Sequence, residues 1–479
     1  MQTKAIQLLQ ETFPPAQAHL PNTDEFSRLN GSYLSALESD ITPACIFQPR
    51  NADEVSKFVQ VLVPLDVSFA IRGAGQQPLP GCANIEGGIT LDLGLLTGIE
   101  IREDCVSIGA GARWGSVYET LEGKGLGVSG SRSSKGGIGG LALAGGLSFF
   151  SSREGFICDN VLNYEVVLAS GAIVNANASE NRNLWIALRG GGNNFGVVTR
   201  FDMRTFPQGP LWCGVAYYFP SSFAGQIEAL VHELRTDKAA GETHLMISTG
   251  YAAQMGGAMC MNQVYLTGPE INNGNPPAVL VSFTDIQPRV DQLSSMAVQS
   301  LSQAAEDQAS AAMEQQRCAY FNTTLKADVD TLKAAADIYT AALKPIHGVD
   351  GLVCSLTLQP YPVSLLKKSA LQGGNSLGLS PENGPLVSVL LLSYWKSKDD
   401  DPAVLRVMQG ALENIRNEGK KRKQSVPFEY MNYAWGFGVQ DPISSYGAEN
   451  KRRLQEVSKQ YDPQGVFQKL VPGGFKLFP

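Results

Sequence analysis

The sequence predicts an α+β fold in two compositionally distinct parts, and three observations carry that reading. Of the 50 glycines in the 479 residues, 26 fall between Gly73 and Gly196. Within that stretch, apolar and β-branched residues come in short runs bounded by glycine, which marks many short strands and not a regular β-α-β alternation. Beyond Pro210 glycine thins out, and longer runs suited to an antiparallel sheet alternate with segments of helical period. A part governed by its backbone is therefore followed by a part that works through side chains.

Taken in order, residues 1–17 place apolar side chains at helical spacing, interrupted by Gln and Glu. That fits an amphipathic surface helix and lacks the continuous apolar stretch of a signal peptide. Residues 41–51 read as a strand stopped by proline, and residues 52–62 as a helix capped by Asn51. Residues 67–72 form a short buried strand that runs into a glycine loop. Strands follow at 89–93, 105–109, 163–168, 172–175 and 196–206, with a helix at 114–121. In the second part the runs predict strands at 212–219, 244–251, 259–266, 353–358 and 386–394, and helices at 222–234, 292–316, 328–343 and 402–417. From about residue 427 loop, helix and turn signals return. No apolar run is long enough to span a bilayer.

Lys and Arg total 38 against 45 Asp and Glu, a net charge of −7. The densest basic stretch, Lys420, Lys421, Arg422 and Lys423, is short and reads as a solvated surface, so a nucleic-acid partner is not expected. The eight cysteines stand singly. With no C-x-x-C pair, structural zinc and a disulfide scaffold are not expected, and the setting is read as reducing and cytoplasmic. The sequons at Asn30, Asn177 and Asn322 are read as chance. Only four histidines occur, which excludes a multi-histidine metal centre. No G-x-S-x-G elbow is present, so base chemistry falls to Tyr, Asp, Glu or Lys.

Three explanations compete for the glycine-rich stretch. A literal G-x-G-x-x-G occurs at Gly125, Gly127 and Gly130, but a helical pattern precedes it and no helix follows, which is the wrong context for a dinucleotide fingerprint. No P-loop pattern is found. The third explanation is a set of loops wrapping one large cofactor through backbone N–H groups, since glycine allows positive φ and close approach. The loops are Arg72-Gly73-Ala74-Gly75-Gln76-Gln77; Gly136-Gly137-Ile138-Gly139-Gly140-Leu141 with Gly145-Gly146; and 190–196, GGGNNFG. Taken singly, each is equally consistent with a tight turn.

These stretches, in their order, resemble the FAD-linked oxidases of the vanillyl-alcohol oxidase and berberine-bridge-enzyme type. The matching segments are PACIFQPRNADEVSKFV, IRGAGQQPLPG, GGITLDL, VSIGAGARWGSVYETL, GIGGLALAGGLSFFSSREGFICDNVLNYEVVLASG and NLWIALRGGGNNFGVVTRFDMRTF. Near the C-terminus they are YMNYAW and YGAENKRRLQEVSKQYDPQGVFQ. They cover most of residues 40–206 and 427–470. The resemblance implies a two-subdomain, PCMH-type FAD-binding domain over residues 1–206. A substrate domain with an antiparallel sheet covered by helices follows over 207–426, and the chain returns to the first domain over 427–479.

The resemblance also implies site residues. Arg72, Gly73, Ala74, Gly75, Gln76 and Gln77 fall on the pyrophosphate loop, and Gly81 is a further expected cofactor contact. Gly136, Gly137, Gly139, Gly140, Leu141, Gly145 and Gly146 line the flavin, followed by Gly155, Asn160 and Val161, with Val197 and Val198 on the adenine side. Many members carry a histidine where Gln76 stands and a cysteine where Ser133 stands, each bonded to the flavin. Both anchors are absent here, which implies non-covalent FAD. Gly136 stands where members place a gate residue, and glycine there is read as leaving room for O2. Tyr430 and Asn432 match a Y-x-N motif, with Tyr430 as the expected base. A phenol of pKa about 10 then needs a cation beside it, which the sequence does not identify. The aromatics Trp212, Tyr217, Tyr218, Phe219, Tyr394 and Trp395 read as core more readily than as pocket lining.

The implied activity is oxidation of a small, fairly apolar molecule in secondary-metabolite biosynthesis, with O2 as acceptor and neither membrane nor nucleic acid as partner. A redox-neutral isomerase or cyclase on the same fold is the alternative that loss of both anchors motivates.

Overall fold

The computed structural model describes residues 1–236, 241–268, 277–313 and 315–478. The chain builds three sheets in succession. The first contains β1 (Ala18–His19), β2 (Cys45–Phe47), β3 (Phe69–Arg72) and β4 (Ile89–Asp92) in the order β1-β2-β4-β3. Here β2 and β3 flank β4 in parallel, and β1 runs antiparallel to β2. The helix Ala52–Leu62 makes the crossover between β2 and β3. It begins where the sequence indicates, with the Asn51 side chain accepting the Glu54 N–H at 2.9 Å, and it buries Val55, Phe58, Val59 and Leu62.

The second sheet holds β5 (Ile99–Ile101), β6 (Cys105–Gly109), β7 (Leu126–Val128), β8 (Val161–Val167), β9 (Ile173–Asn177) and β10 (Val197–Pro207). Its order is β5-β6-β10-β8-β9, with β7 on the far end of β10, and every pairing is antiparallel. The literal G-x-G-x-x-G is used up in this packing. Gly127 lies in β7, and a Cβ on Gly130 would lie 2.3 Å from the Trp114 ring.

The third sheet has eight strands: β11 (Leu211–Tyr218), β12 (Thr243–Ala252), β13 (Gly257–Leu266), β14 (Arg289–Gln299), β15 (Arg317–Lys326), β16 (Val353–Tyr361), β17 (Leu386–Trp395) and β18 (Ser425–Val426). They run antiparallel in the order β14-β11-β13-β12-β16-β17-β15-β18. Alternation along each strand divides the faces. Leu245 and Ile247 of β12, Ala319 and Phe321 of β15, Leu356 and Leu358 of β16, and Val387, Val389 and Leu391 of β17 pack under the helices Phe223–Arg235, Val329–Ala342 and Asp401–Lys421. Trp212, Tyr218 and Trp395 belong to the same cluster, which settles these three as core. The other face carries His244 and Met246, Tyr320 and Asn322, and Gln359 and Tyr361.

Two expectations need correction. Residues 292–316 are not one helix: β14 runs to Gln299 and the helix is only Leu301–Ser310 (residue 314 lies outside the described residues). β14 is an edge strand, poor in β-branched residues, and its pairing with β11 decides its state. Ser300 then caps the helix by accepting the Gln303 N–H at 3.2 Å. The strand expected at 353–358 continues to Tyr361, through Pro360. The β12 pairing ends at Leu358, so the missing N–H of Pro360 leaves no ladder bond unmade.

Of the sequons, Asn30 and Asn322 are buried and hydrogen-bonded inside the fold, which agrees with their being chance. Among the described residues no helix is long and apolar enough to cross a membrane.

Candidate cofactor and substrate site

The three glycine loops meet at the short helix Ile138–Leu143. From the first loop, a Cβ on Gly73 would lie 3.8 Å from the Ala110 carbonyl oxygen and 4.0 Å from Gly139 Cα. Ala74 sits directly against Gly137, whose Cβ would come within 2.5 Å of its own. From the third loop, the amides of Gly190 and Gly192 both donate to the Leu143 carbonyl, at 3.1 and 3.0 Å. From the C-terminal segment, Asn432 Nδ2 donates to the carbonyls of Leu141 (3.4 Å) and Ala144 (3.1 Å). These donors satisfy carbonyls that a helix end leaves unpaired. Four segments far apart in sequence are thereby fixed around one turn and a half of helix.

Between them the wall is bare backbone. Gly140 is exposed, with nothing within 4 Å of where its Cβ would lie, and Gly139 would meet only the Ala110 oxygen at 3.5 Å. This is the opening a flat ring system needs, and side chains at Gly73, Gly139 or Gly140 would fill it.

The other expected residues take distinct places. Arg72 turns its guanidinium inward, to the carbonyls of Leu29 (2.7 Å) and Ser32 (3.1 Å) and over the Tyr33 ring, so only its backbone serves the loop. Gly75 has φ +66°, and a Cβ there would lie 2.8 Å from Tyr33. Gln76 and Gln77 are half-buried beside it, as is Ser133 in the second loop. A Cβ on Gly136 would point into its own turn, 2.5 Å from Ser131 Oγ. Its missing side chain therefore relieves that turn. Gly145 and Gly146 have φ of +100° and +84°, and their carbonyls accept the amides of Cys158 and Ile157 at 2.8 and 2.9 Å. That turn is joined to Gly155 (φ +81°) and to Asn160, whose amide braces the carbonyls of Glu154 and Phe156 at 2.9 and 3.0 Å. Val161 opens β8; Val197 and Val198 open β10, paired with Val167 and Val166.

Gly81 is held by Glu38, whose buried carboxylate accepts the amides of Gly81 (2.9 Å) and Ala83 (2.8 Å). Burial pushes the Glu38 carboxyl up from 4.5 to about 7, against the pull of those amides. The native state therefore holds a proton that the unfolded chain releases, and this group's contribution to stability falls as pH rises from 4.5 to 7. The full effect is about 3 kcal/mol. Glu38→Gln is expected to flatten that part of the melting temperature against pH profile. An unchanged slope would show that Glu38 does not titrate in this window.

Tyr430 lies over the end of the glycine helix, its Cε2 3.5 Å from where a Gly145 Cβ would be. Its ring meets Tyr433 edge-on at 4.8 Å, and Tyr433 meets Tyr320 at 5.8 Å. Beyond Tyr433 stands Arg132. It donates to the Tyr433 hydroxyl (2.5 Å), Gln359 Oε1 (2.8 Å) and His244 Nε2 (3.1 Å). Burial, with Arg132 adding to it, holds His244 well below its usual value. The imidazole is thus neutral, with Nε2 as acceptor. Burial pushes the Tyr430 phenol well above 10, and Arg132 and Asn432 act the other way. Arg132 is the cation that acts on the Tyr430 phenol. It was legible only as a lone arginine in SRSSKGG, and Gln359 lies beyond the predicted end of its strand.

Residues 43–177 match the family described as FAD binding domain. The chain is 35% identical over 471 residues to the FAD-dependent monooxygenase tpcD of Cochliobolus heterostrophus, covering 96% of this chain and 89% of that one. It is 32% identical over 459 residues to the bifunctional solanapyrone synthase of Alternaria solani, covering 94% and 85%. Its fold superposes on 6-hydroxy-D-nicotine oxidase of Arthrobacter nicotinovorans with a TM-score of 0.78 at 20% identity, covering 94% and 96%. With the PCMH-type FAD-binding fold in place and this identity along nearly its whole length, the chain belongs to the family of FAD-dependent oxidoreductases.

Proposed function

We propose that the protein is an oxidase that holds FAD without a covalent bond and oxidises a small organic molecule in secondary-metabolite biosynthesis. Residues 1–206 and 427–479 form the cofactor part and 207–426 the substrate part. The observation that carries the reading is the position of Tyr430 over Gly145, at the end of the bare helix wall and within the field of Arg132. Gly73, Ala74, Gly137, Gly139 and Gly140 would hold the flavin through backbone alone, with loop 72–77 on the pyrophosphate. Gln76 and Ser133 offer neither a ring nitrogen nor a thiolate for attachment. Bound FAD supplies the two-electron acceptor. Tyr430 would take the substrate proton as its phenolate; burial opposes that form, and Arg132 and Asn432 favour it without outweighing burial. The net reaction removes two electrons and two protons from the substrate and delivers them to O2 as H2O2.

The relatives named as monooxygenases favour one second reading, oxygen insertion into the substrate. One H2O2 per product supports the oxidase; labelled oxygen in the product with no H2O2 supports the monooxygenase. Product formed anaerobically while the flavin stays oxidised overturns both. Acid precipitation is expected to release the FAD into the supernatant, and flavin retained in the pellet contradicts the non-covalent reading. Tyr430→Phe is expected to slow anaerobic flavin reduction by roughly 10²–10³, with FAD affinity kept within a few-fold. Equal losses in both would make Tyr430 structural.

A further inference from the structure

The site contains a cation without a counter-ion. Arg132 is hydrogen-bonded to Tyr433, Gln359, His244 and Met246, none of them a carboxylate. Among the described residues no carboxylate forms an ion pair with it; burial opposes its charge, and the tyrosines 433, 430 and 265 favour it. An enclosed charge is costly unless paired. His244 cannot serve, because it is itself held neutral.

The partners also say which side of the site Arg132 serves. His244 and Met246 lie on β12 and Gln359 on β16, on the sheet face that the helices leave uncovered. Between Arg132 and the glycine helix stand Tyr433 and then Tyr430. Arg132 nevertheless keeps some accessible surface.

Building on the oxidase reading above, we propose that Arg132, flanked by Tyr433 and Gln359, is the anion subsite of the substrate pocket. The substrate carries a planar oxyanion, a carboxylate or the enolate of a 1,3-dicarbonyl, which the guanidinium binds by charge-assisted hydrogen bonds. The pocket is then selective for acidic carbonyl compounds, not for apolar ones. The oxyanion also fixes which substrate carbon faces Tyr430.

The test uses the FAD-loaded protein and three unreactive probes: benzoate, the enolate of cyclohexane-1,3-dione, and neutral benzamide. Binding is read from the perturbed visible flavin spectrum and from the shift in melting temperature. At least one anion is expected to bind tenfold or more tightly than benzamide, and the tighter of the two names the oxyanion class. Arg132→Met should lose that preference at least tenfold, and Arg132→Lys should keep part of it. Equal binding of all three probes by the wild-type protein overturns the proposal, as does an anion preference that survives in Arg132→Met. So does a flavin potential moved by Arg132→Met with no anion preference to lose, since Arg132 would then serve the flavin. Should Arg132→Met fail to fold, the wild-type comparison and Arg132→Lys still decide. Should the protein bind no flavin, the oxidase reading fails, whereas an anion-dependent melting shift lost in Arg132→Met and only weakened in Arg132→Lys would leave the subsite standing.

Discussion

Replacing Asn322 with alanine is expected to destabilise the protein by roughly 2–4 kcal/mol and to displace Tyr430. Asn322 is buried on β15, on the face of the eight-stranded sheet turned away from the helices Phe223–Arg235, Val329–Ala342 and Asp401–Lys421. Its amide accepts the Tyr430 N–H at 2.8 Å and donates to the Tyr430 carbonyl at 3.0 Å. One side chain thus stands in for a strand neighbour and holds the segment that carries Tyr430, Asn432 and Tyr433. The backbone of Asn322 is in turn gripped by Gln440, which accepts its N–H at 3.2 Å and donates to its carbonyl at 2.9 Å. Alanine leaves a buried N–H and a buried C=O unpaired, each worth about 1–3 kcal/mol. The checks are thermal unfolding and the rate of flavin reduction at saturating substrate. A variant that loses stability while reducing its flavin at the wild-type rate would show that Tyr430 is positioned by its ring contacts alone.

The uneven legibility of the chain has a physical pattern. The helix Ala52–Leu62 and the strand β6 could be read because capping and apolar period are local: Asn51, Val55, Phe58 and Val59 carry the information themselves. β14 could not, since a string of Gln, Ser, Met and Ala becomes a strand only through β11, more than seventy residues earlier. The end of β16 was hidden for a related reason. Pro360 is a breaker in any local reading, and only the early end of the β12 pairing makes it harmless. The glycine loops were readable as loops, but their convergence was not. Nothing local to Leu143 says that Gly190 and Gly192 will donate to its carbonyl, or that Asn432 will hold Leu141 and Ala144. Arg132 is the extreme case. Its significance rests on His244, Gln359 and Tyr433, each more than a hundred residues away.

Two neighbouring glycines separate what the fold needs from what the cofactor needs. Gly137 has an ordinary extended backbone (φ −100°), so any residue can adopt its conformation, but a Cβ would drive into Ala74 at 2.5 Å and its amide at 3.1 Å. Gly137→Val is therefore expected to force the first two loops apart, at a cost of about 1–3 kcal/mol or more, and to abolish FAD binding with it. Gly140 is the reverse. It sits in the helix, exposed, with no protein atom near the absent Cβ, and replacing a helical glycine costs nothing and gains a few tenths of a kcal/mol. Gly140→Val should leave the melting temperature of the flavin-free protein unchanged or slightly raised. If the bare wall receives the flavin, FAD affinity should nevertheless fall tenfold or more, about 1.4 kcal/mol. Titrating FAD into both flavin-free variants, alongside their thermal unfolding, reads the two effects apart. A Gly140→Val protein that binds FAD as tightly as the parent would place the flavin elsewhere, since a methyl-bearing side chain cannot share that space with a ring.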